Sequence, residues 1–474
     1  MLFRQVLGYL PALVIPAIAA FGAVFCYTRL LSPADFGNYS LVLSTSTLLT
    51  SLFFTWLQIS LPRLAPEAMK DNRLGELRAT AHLIFAGASL LLLTGGALLA
   101  GVIPFGSVKL LIVLAVPLTL ARSLLNLNQA FHRSALEIRA YSIIECGQAA
   151  LGLIFGVGLV YFAHLGDVGA VTGAILGMAA MAFVDLNTLL STPLRNASRR
   201  TMIEIGKFSL PLVGTMGFNF IMSISDRYLI DYFRGAEEVG YYAAGYTLMV
   251  RIVSILFDLV AVPSFPLIVH RLETEGVESA RAQTYANGVA ILALMLPACT
   301  GLVLTNRQLD AVFIGKDFRS GALAVMPWVA IGSACFGFAS HFFDHAFHLA
   351  KKPHLLWFTR GPAAAISLSA NLILIPRFGF IGAAWSMFAA NLVMLALTIL
   401  LSPRGFPLHF PVKPALKIVA SNAFMAAVLL AIPFPDNILG LVAMVVLGAA
   451  VYGLGLIAFD VHNIRMRLKT MARL

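Results

Sequence analysis

The chain is a succession of apolar stretches about twenty residues long, and no polar segment between them is large enough to fold on its own. A helix needs roughly 20 apolar residues to cross the ~30 Å hydrocarbon layer of a bilayer. Fourteen such runs centre near residues 20, 50, 91, 119, 152, 179, 219, 252, 294, 332, 366, 391, 424 and 448. The longest stretches between them lie near 62–79 and 265–283. Backbone in hydrocarbon must satisfy its own hydrogen bonds, so these runs are helices or barrel strands. Barrel strands alternate in polarity over about ten residues, and continuous runs of twenty do not. The expected fold is therefore all-α, a polytopic membrane bundle.

Composition agrees. Hydrophobic residues make up 59% of the chain and charged residues 12%, against about 25% charged in ordinary soluble domains. The net charge of +11 suits nucleic acid in principle, but its placement argues against that partner. Basic clusters at Arg63, Lys70, Arg73 and Arg78, at Arg195, Arg199, Arg200 and Lys207, and at Arg465, Arg467, Lys469 and Arg473 alternate with nearly uncharged connections. Assigning every second connection to the cytoplasm collects most Lys and Arg there, which places both termini inside by the positive-inside bias. The excess reads as a topology signal with an anionic-lipid contribution. Arg4 before an apolar stretch resembles a signal peptide, but the run is long for one and is read as the first span. Cys26, Cys146, Cys299 and Cys335 lie far apart in apolar runs and form no CxxC pair, so neither a disulfide nor a metal framework is expected.

The chain also repeats itself. YLPALVIPAIAAFGAVFCYTRLLSPADFGNY around Pro11 corresponds to FSLPLVGTMGFNFIMSISDRYLIDYFRGAEEVGYY around Pro211. Each has an aromatic residue, Leu-Pro, a span, an Arg near its far end (Arg29, Arg227) and a turn closing in Gly and Tyr. A second pair of markers, Gly166-Asp167-Val168-Gly169-Ala170 and Gly379-Phe380-Ile381-Gly382-Ala383, opens the last span of each six-span set. The expected organisation is a six-helix half over 1–200, a second over 201–403 related by a pseudo-two-fold axis along the membrane normal, and two additional spans with a basic tail over 404–474. Parallel repeats of this kind frame a central site. The Leu-Pro opening, the TRLLSPADFGNY turn, the SDRY of the seventh span and the GxxGA starts resemble the polysaccharide-transporter branch of the MOP superfamily. That resemblance, which covers spans one to twelve, implies an oligosaccharide flippase of the bacterial envelope.

The chemistry visible in the chain is sparse. Gly206-Lys207 and Gly315-Lys316 lack the rest of a phosphate-binding loop, so no ATPase motif is present, and neither HExxH nor GxSxG occurs. No catalytic residue, metal site or cofactor is assigned. What remains is charge inside the membrane, which costs at least about 2.5–3.5 kcal/mol per group at a helix centre and so faces bundle interiors or wet cavities. Arg251 lies mid-span, Arg122 and Arg360 nearer cytoplasmic ends, and Arg29 and Arg227 near outer ends. With guanidinium forks matched to phosphate oxygens, these five are the candidate substrate-binding residues; the competing reading is that they pair with acids or snorkel to the interface. Asp258, Asp185, Glu145, Asp344, His341 and His345 are candidates for ion or proton coupling, with H⁺ or Na⁺ as the coupling ion. His341, Asp344, His345 and His348 share one stripe at helical spacing. It suits a metal or a proton relay, but it ends at Lys351-Lys352, where an interfacial face is expected. Asp226 and Arg227, being adjacent, are not expected to bridge each other. Tyr232, Tyr241, Tyr242 and Tyr246 read as an interfacial aromatic belt.

The resemblance, with which the intramembrane arginines agree, implies a flippase carrying polyprenyl-diphosphate-linked oligosaccharide across a bacterial inner membrane by alternating access. Its expected associates are membrane lipids and polysaccharide polymerase or export machinery. An ion-coupled multidrug exporter of the same fold, and an integral-membrane glycosyltransferase or polymerase, are the alternatives. The topology has a direct check. Single cysteines at Arg199 and Gly106 should label from opposite membrane faces; labelling from one face would overturn the assignment.

Overall fold

The computed structural model describes residues 2–102, 107–135, 137–186, 188 and 194–461. The basic cluster at 465–473 and Gly106 lie outside them. Described residues are overwhelmingly helical and include no β-strand. Thirteen helices are long and apolar enough to cross a membrane. The remaining expected span is the helix Arg199–Ser223, whose first two turns carry Arg199, Arg200, Glu204 and Lys207.

The chain forms two compact units. The first holds residues 1–220 and 235–240 and the second 221–234 and 241–474. In the first, α1 (Leu2–Leu30) is followed by α2 (Pro33–Thr50), which passes through a π-helical turn (Ser51–Thr55) into α3 (Trp56–Lys70). Then come α4 (Leu74–Val102), α5 (Ser107–Ser134), α6 (Ile138–Ala163), α7 (Gly166–Val184) and α8 (Arg199–Ser223). The second unit contains α9 (Ser225–Arg234), α10 (Ala236–Thr274) from Tyr241 onward, α11 (Val277–Leu304), α12 (Asn306–Phe313) and α13 (Arg319–Phe338). A second π-helical turn (Ala339–Phe343) leads to α14 (His345–Leu349), α15 (Leu355–Phe378), α16 (Phe380–Leu401), α17 (Val412–Ala431) and α18 (Ile438–Ala458).

The polar stretches 62–79 and 265–283 are mostly helix. Pro33–Lys70 runs 38 residues and Ala236–Thr274 runs 39, about 58 Å for the latter at 1.5 Å per residue. Each therefore outruns the hydrocarbon layer, and each ends in a tight turn, at Asn72 (φ 56°) and Gly276 (φ 89°).

Short connections make neighbours of successive spans, and small residues set how closely they pack. In a bilayer lipid tails are as apolar as Leu, so helix association rests on close van der Waals contact, which favours Gly and Ala. The α6–α7 hairpin shows this. A Cβ on Gly173 would sit 2.1 Å from the Gly156 nitrogen, and one on Gly177 2.4 Å from the Gly152 nitrogen. The repeated GxxGA marker acquires a physical role here. Gly166 (φ 55°) and Gly379 (φ 60°) take the left-handed conformation that turns the chain between α6 and α7 and between α15 and α16. Gly169 and Gly382 then let the new helix lie against backbone of the old one: a Cβ there would sit 3.2 Å from the Leu159 carbonyl carbon and 2.5 Å from the Leu374 carbonyl oxygen. Within the first unit, Gly37 abuts the Ala236 carbonyl and Gly240 the Pro33 carbonyl, so the two turn glycines of the long repeat seat against each other's helix starts.

The core of the first unit gathers Leu57, Leu61, Ala65, Leu77, Leu127, Phe131 and Ile205 from α3, α4, α5 and α8. In the second unit α17 and α18 close around Met425, Leu429, Met444 and Tyr452. They are fastened to α11 by Asn422 Nδ2, which donates to Thr300 Oγ1 (2.9 Å), and by the Tyr452 hydroxyl, which donates to the Ala293 carbonyl (2.8 Å).

Two outcomes are expected. Gly173→Val forces a branched side chain into backbone and should lower stability by about 1–3 kcal/mol, read as a lower melting midpoint in detergent. Asp310, buried in α12 with Arg319 Nε 4.0 Å away, is pushed up to about 7 by burial, against the opposing pull of Arg319. A carboxyl raised above its unfolded value of about 3.9 contributes stability that is present at low pH and lost as pH rises through the folded value. The melting midpoint should therefore fall between about pH 4 and pH 7, and Asp310→Asn should flatten that slope.

Candidate functional site

Hydrocarbon tolerates an ionised side chain only with partners or water, so the partners of each intramembrane charge decide its role. Arg251 stands on α10, about 22 Å of helix from Ala236. Its Nε is buried, and among the described residues no carboxylate or other hydrogen-bond partner meets it. Asp258 follows two turns later on the same face. It lies close enough to His341 to interact electrostatically. The His341 ring stacks on Phe257 (5.3 Å between centroids), and His345 packs on Phe265 (4.8 Å). One face of α10 and the segment 341–345 thus bring Arg251, Asp258, His341 and His345 onto facing elements of the second unit.

The stripe expected from sequence spacing is broken by that segment. The π-helical turn Ala339–Phe343 is wider than an α-turn, so Asp344 leaves the histidine face. Asp344 is buried and accepts from Arg360 Nη2 at 3.1 Å. Arg360 and Asp344 are a structural ion pair between α15 and the start of α14. Arg360 accordingly belongs to the competing reading, in which charges pair with one another. Among the described residues no three His, Cys, Asp or Glu side chains converge as a metal site would require.

Asp226 and Arg227 also correct the sequence expectation. They do bridge, Arg227 Nη1 to Asp226 Oδ1 at 3.5 Å. The helix breaks at Ile224 and restarts at Ser225, so Asp226 sits in a first turn, where its Oδ1 also accepts the Arg227 N–H (2.8 Å). The Tyr242 hydroxyl donates to Asp226 Oδ2, and the guanidinium lies over the Tyr246 ring at 4.4 Å. Both Asp226 and Arg227 are buried. The expected aromatic belt shrinks to Tyr232, which is exposed; Tyr241 packs against Phe318 and Phe380, and Tyr242 and Tyr246 clamp the ion pair.

In the first unit Arg29 is exposed, folded over Phe25 at 3.7 Å and donating to the Phe25 carbonyl. Arg122 donates to Thr47 Oγ1 (3.2 Å) across the α2–α5 interface, next to the contact of Ser123 with Thr50 (3.5 Å). Glu145 accepts from Gln129 and Gln148, each at 2.7 Å. Asp185 is buried and accepts from Asn128 Nδ2 (2.8 Å) and His132 Nε2 (3.1 Å). His132 Nδ1 donates in turn to Glu137 (2.6 Å). The two acids thereby help tie together adjoining ends of α5, α6 and α7. His132, Asn128, Gln129, Gln148 and Thr47 went unnoticed in the sequence because neutral polar residues carry no signal until a partner is placed beside them.

Two cavities differ in chemistry. One in the second unit, of about 570 Å³, is walled by aliphatic groups of α10, α11, α17 and α18, among them Leu256, Leu294, Met425 and Met444. One in the first unit, of about 660 Å³, is lined by Thr55, Gln58, Ile59, Pro62, Pro66, Arg133 and Ser134.

The fold has counterparts among known proteins. The chain superposes on the lipid II flippase MurJ in an inward closed conformation with a TM-score of 0.77 at 14% identity, over 95% of this chain and 98% of that one. An inward-facing multidrug resistance MATE family transporter of the MOP superfamily gives 0.65 at 12% identity, over 82% and 93%. A MOP superfamily transporter from Pyrococcus furiosus, described by the reverse polarity of its binding pocket, gives 0.55 at 12%, over 83% and 95%. At these identities the likeness is one of fold. No curated protein matches the sequence significantly. The family model for polysaccharide biosynthesis proteins matches residues 2–270, more than half of the chain. The chain is a multi-pass membrane protein of the polysaccharide biosynthesis protein family, with the fold of the MOP superfamily.

Proposed function

We propose that the protein is a flippase that carries polyprenyl-diphosphate-linked oligosaccharide from the cytoplasmic to the periplasmic leaflet of a bacterial inner membrane. Both termini are then cytoplasmic, as the basic connections favour. Arg251 is the observation that carries this reading. A half-buried guanidinium in mid-span that, unlike Arg227 and Arg360, meets no carboxylate among the described residues is costly unless something anionic visits it. A diphosphate is such a visitor, and its oxygens match the guanidinium fork. The family's role in polysaccharide biosynthesis supplies the context, and the prenyl tail can remain in lipid while the headgroup passes. A carrier for cationic drugs would be served by net acid at this depth, whereas the acids Asp344 and Asp226 are already engaged by arginines.

For coupling, Asp258 with His341 and His345 is the favoured set, since these are the candidate titrating groups on the elements facing Arg251. An H⁺ or Na⁺ gradient acting there would bias the same face that holds the headgroup. Glu145 and Asp185, held by neutral amides and His132, serve the inner architecture of the first unit in this reading. Polymerase or export machinery would take the product on the outer side.

Three variants test the reading in reconstituted vesicles with a thermal-shift control. Arg251→Ala should lose transport by at least about a hundredfold, on the scale of two to three lost charge-assisted hydrogen bonds, with its melting midpoint retained. Arg251→Lys should recover only part, because a point charge does not reproduce the fork. Arg360→Ala should behave differently: it strands Asp344 as an unpaired buried acid and should cost about 3–5 kcal/mol of stability. Full transport by Arg251→Ala would remove Arg251 from the site.

A further inference from the structure

The 660 Å³ cavity of the first unit falls within the range of about 300–1,000 Å³ typical of ligand sites, yet its lining is unusual for a membrane helix. Thr55, Gln58, Ile59, Pro62 and Pro66 recur at intervals of three and four residues, one stripe down a single face of α3 and the turn before it. Arg133 and Ser134 close it from the end of α5. Ile59 is its one large aliphatic wall.

Two features of that stripe leave backbone acceptors open. Proline has no N–H, so a proline inside a helix deprives the carbonyl four residues earlier of its donor. Pro62 and Pro66 are both interior to α3, so the carbonyls of Gln58 and Pro62 lack their helical partners, and both residues line the cavity. The turn Ser51–Thr55 is π-helical, a geometry that recurs at functional sites. Side chains add to the set. Gln58 Nε2 donates to the Ser123 carbonyl (3.3 Å), which leaves its Oε1 as an acceptor. Thr55 Oγ1 donates to the Thr50 carbonyl (3.2 Å) and keeps its lone pairs. Arg133 is exposed, with its guanidinium 5.7 Å from the Tyr141 ring centroid and no carboxylate pairing it among the described residues.

The cavity thus offers a row of acceptors and one forked donor. A diphosphate, itself all acceptor, would be repelled by the row of carbonyls. A sugar fits: each hydroxyl donates to an acceptor and accepts from a donor, while the C–H faces of a pyranose lie against the rings of Pro62 and Pro66. We infer that this cavity is the oligosaccharide subsite of the transporter, in which the bare carbonyls of Gln58 and Pro62, the amide of Gln58 and the guanidinium of Arg133 hold one or two sugar residues of the substrate. This rests on the flippase reading and adds to it a place for the saccharide separate from the arginine that takes the phosphates.

The two kinds of recognition are separable with full-length protein in detergent. The probes are a polyprenyl diphosphate without sugar and the same lipid bearing a hexose, an N-acetylhexosamine or a deoxyhexose; the readout is the dissociation constant from thermal shift. Wild type should bind at least one glycosylated lipid about tenfold or more tighter than the bare one, the scale of one or two net hydrogen bonds. Pro66→Ala returns an N–H to the Pro62 carbonyl and removes a helix breaker, so it should fold well. It should nevertheless bring the ratio toward one, as should Gln58→Leu. A wild-type ratio in both variants overturns the assignment, as does an equal loss of bare and glycosylated lipid. If wild type binds the bare lipid and prefers no glycosylated one, the subsite is wrong and the flippase reading stands. If it binds none of the lipids, both fall.

Discussion

The constraint on which the rest of this structure depends is that hydrocarbon offers the backbone no hydrogen-bond partner. Every span must close its own ladder, and so each is helical. Because the solvent is as apolar as the side chains, packing cannot be driven by burial of Leu and Ile and depends on how closely backbones approach. The glycine pairs of α6 and α7, and the GxxGA starts that turn and seat α7 and α16, are where this chain meets that requirement. Large aliphatic residues such as Leu98, Leu400 and Leu439 are left facing outward, the reverse of their place in a soluble protein.

The same constraint sorts the charges. Arg360 with Asp344, and Arg227 with Asp226 under two tyrosines, are closed sets in which each formal charge meets its opposite. Asp185 is held by donors from α5, and Glu145 by Gln129 of α5 and Gln148 of its own helix. Arg251, whose buried Nε is unpartnered as those of Arg227 and Arg360 also are, differs from them in meeting no carboxylate among the described residues. A group that costs several kcal/mol to hold in a bilayer and has no partner is more informative than several that have one, and it singles out one face of α10. Breaks in helical regularity fall near the same places. One π-helical turn redirects Asp344 away from the histidines, and the other, with two prolines after it, opens a polar cavity beside α3.

Much of this was determined by the sequence alone. Runs of apolar residues as long as the bilayer is thick admit one secondary structure, so the fold class, the approximate number of spans and their positions could be read directly. The repeated Leu-Pro and GxxGA markers were visible because glycine and proline restrict backbone in ways few other residues can replace. The chemistry was legible only as a set of residue types at membrane depth. Spacing could nominate Arg251, Arg360 and Asp344 alike, because a helix of 3.6 residues per turn was the only geometry available to the count.

Tertiary structure decided which of those charges are satisfied. Arg360 meets Asp344 from another helix, and a π-turn makes that possible by rotating Asp344 off its nominal stripe. Asp226 reaches its neighbour Arg227 because the helix breaks at Ile224. Asn128 and His132 become partners of Asp185 only when α5 and α7 come together. Pairing energy falls off within a few ångströms, whereas partners such as Asn128 and Asp185 lie tens of positions apart along the chain. Local pattern therefore specifies each helix and its depth in the bilayer, and only the packing of helices against one another specifies where a charge is left open.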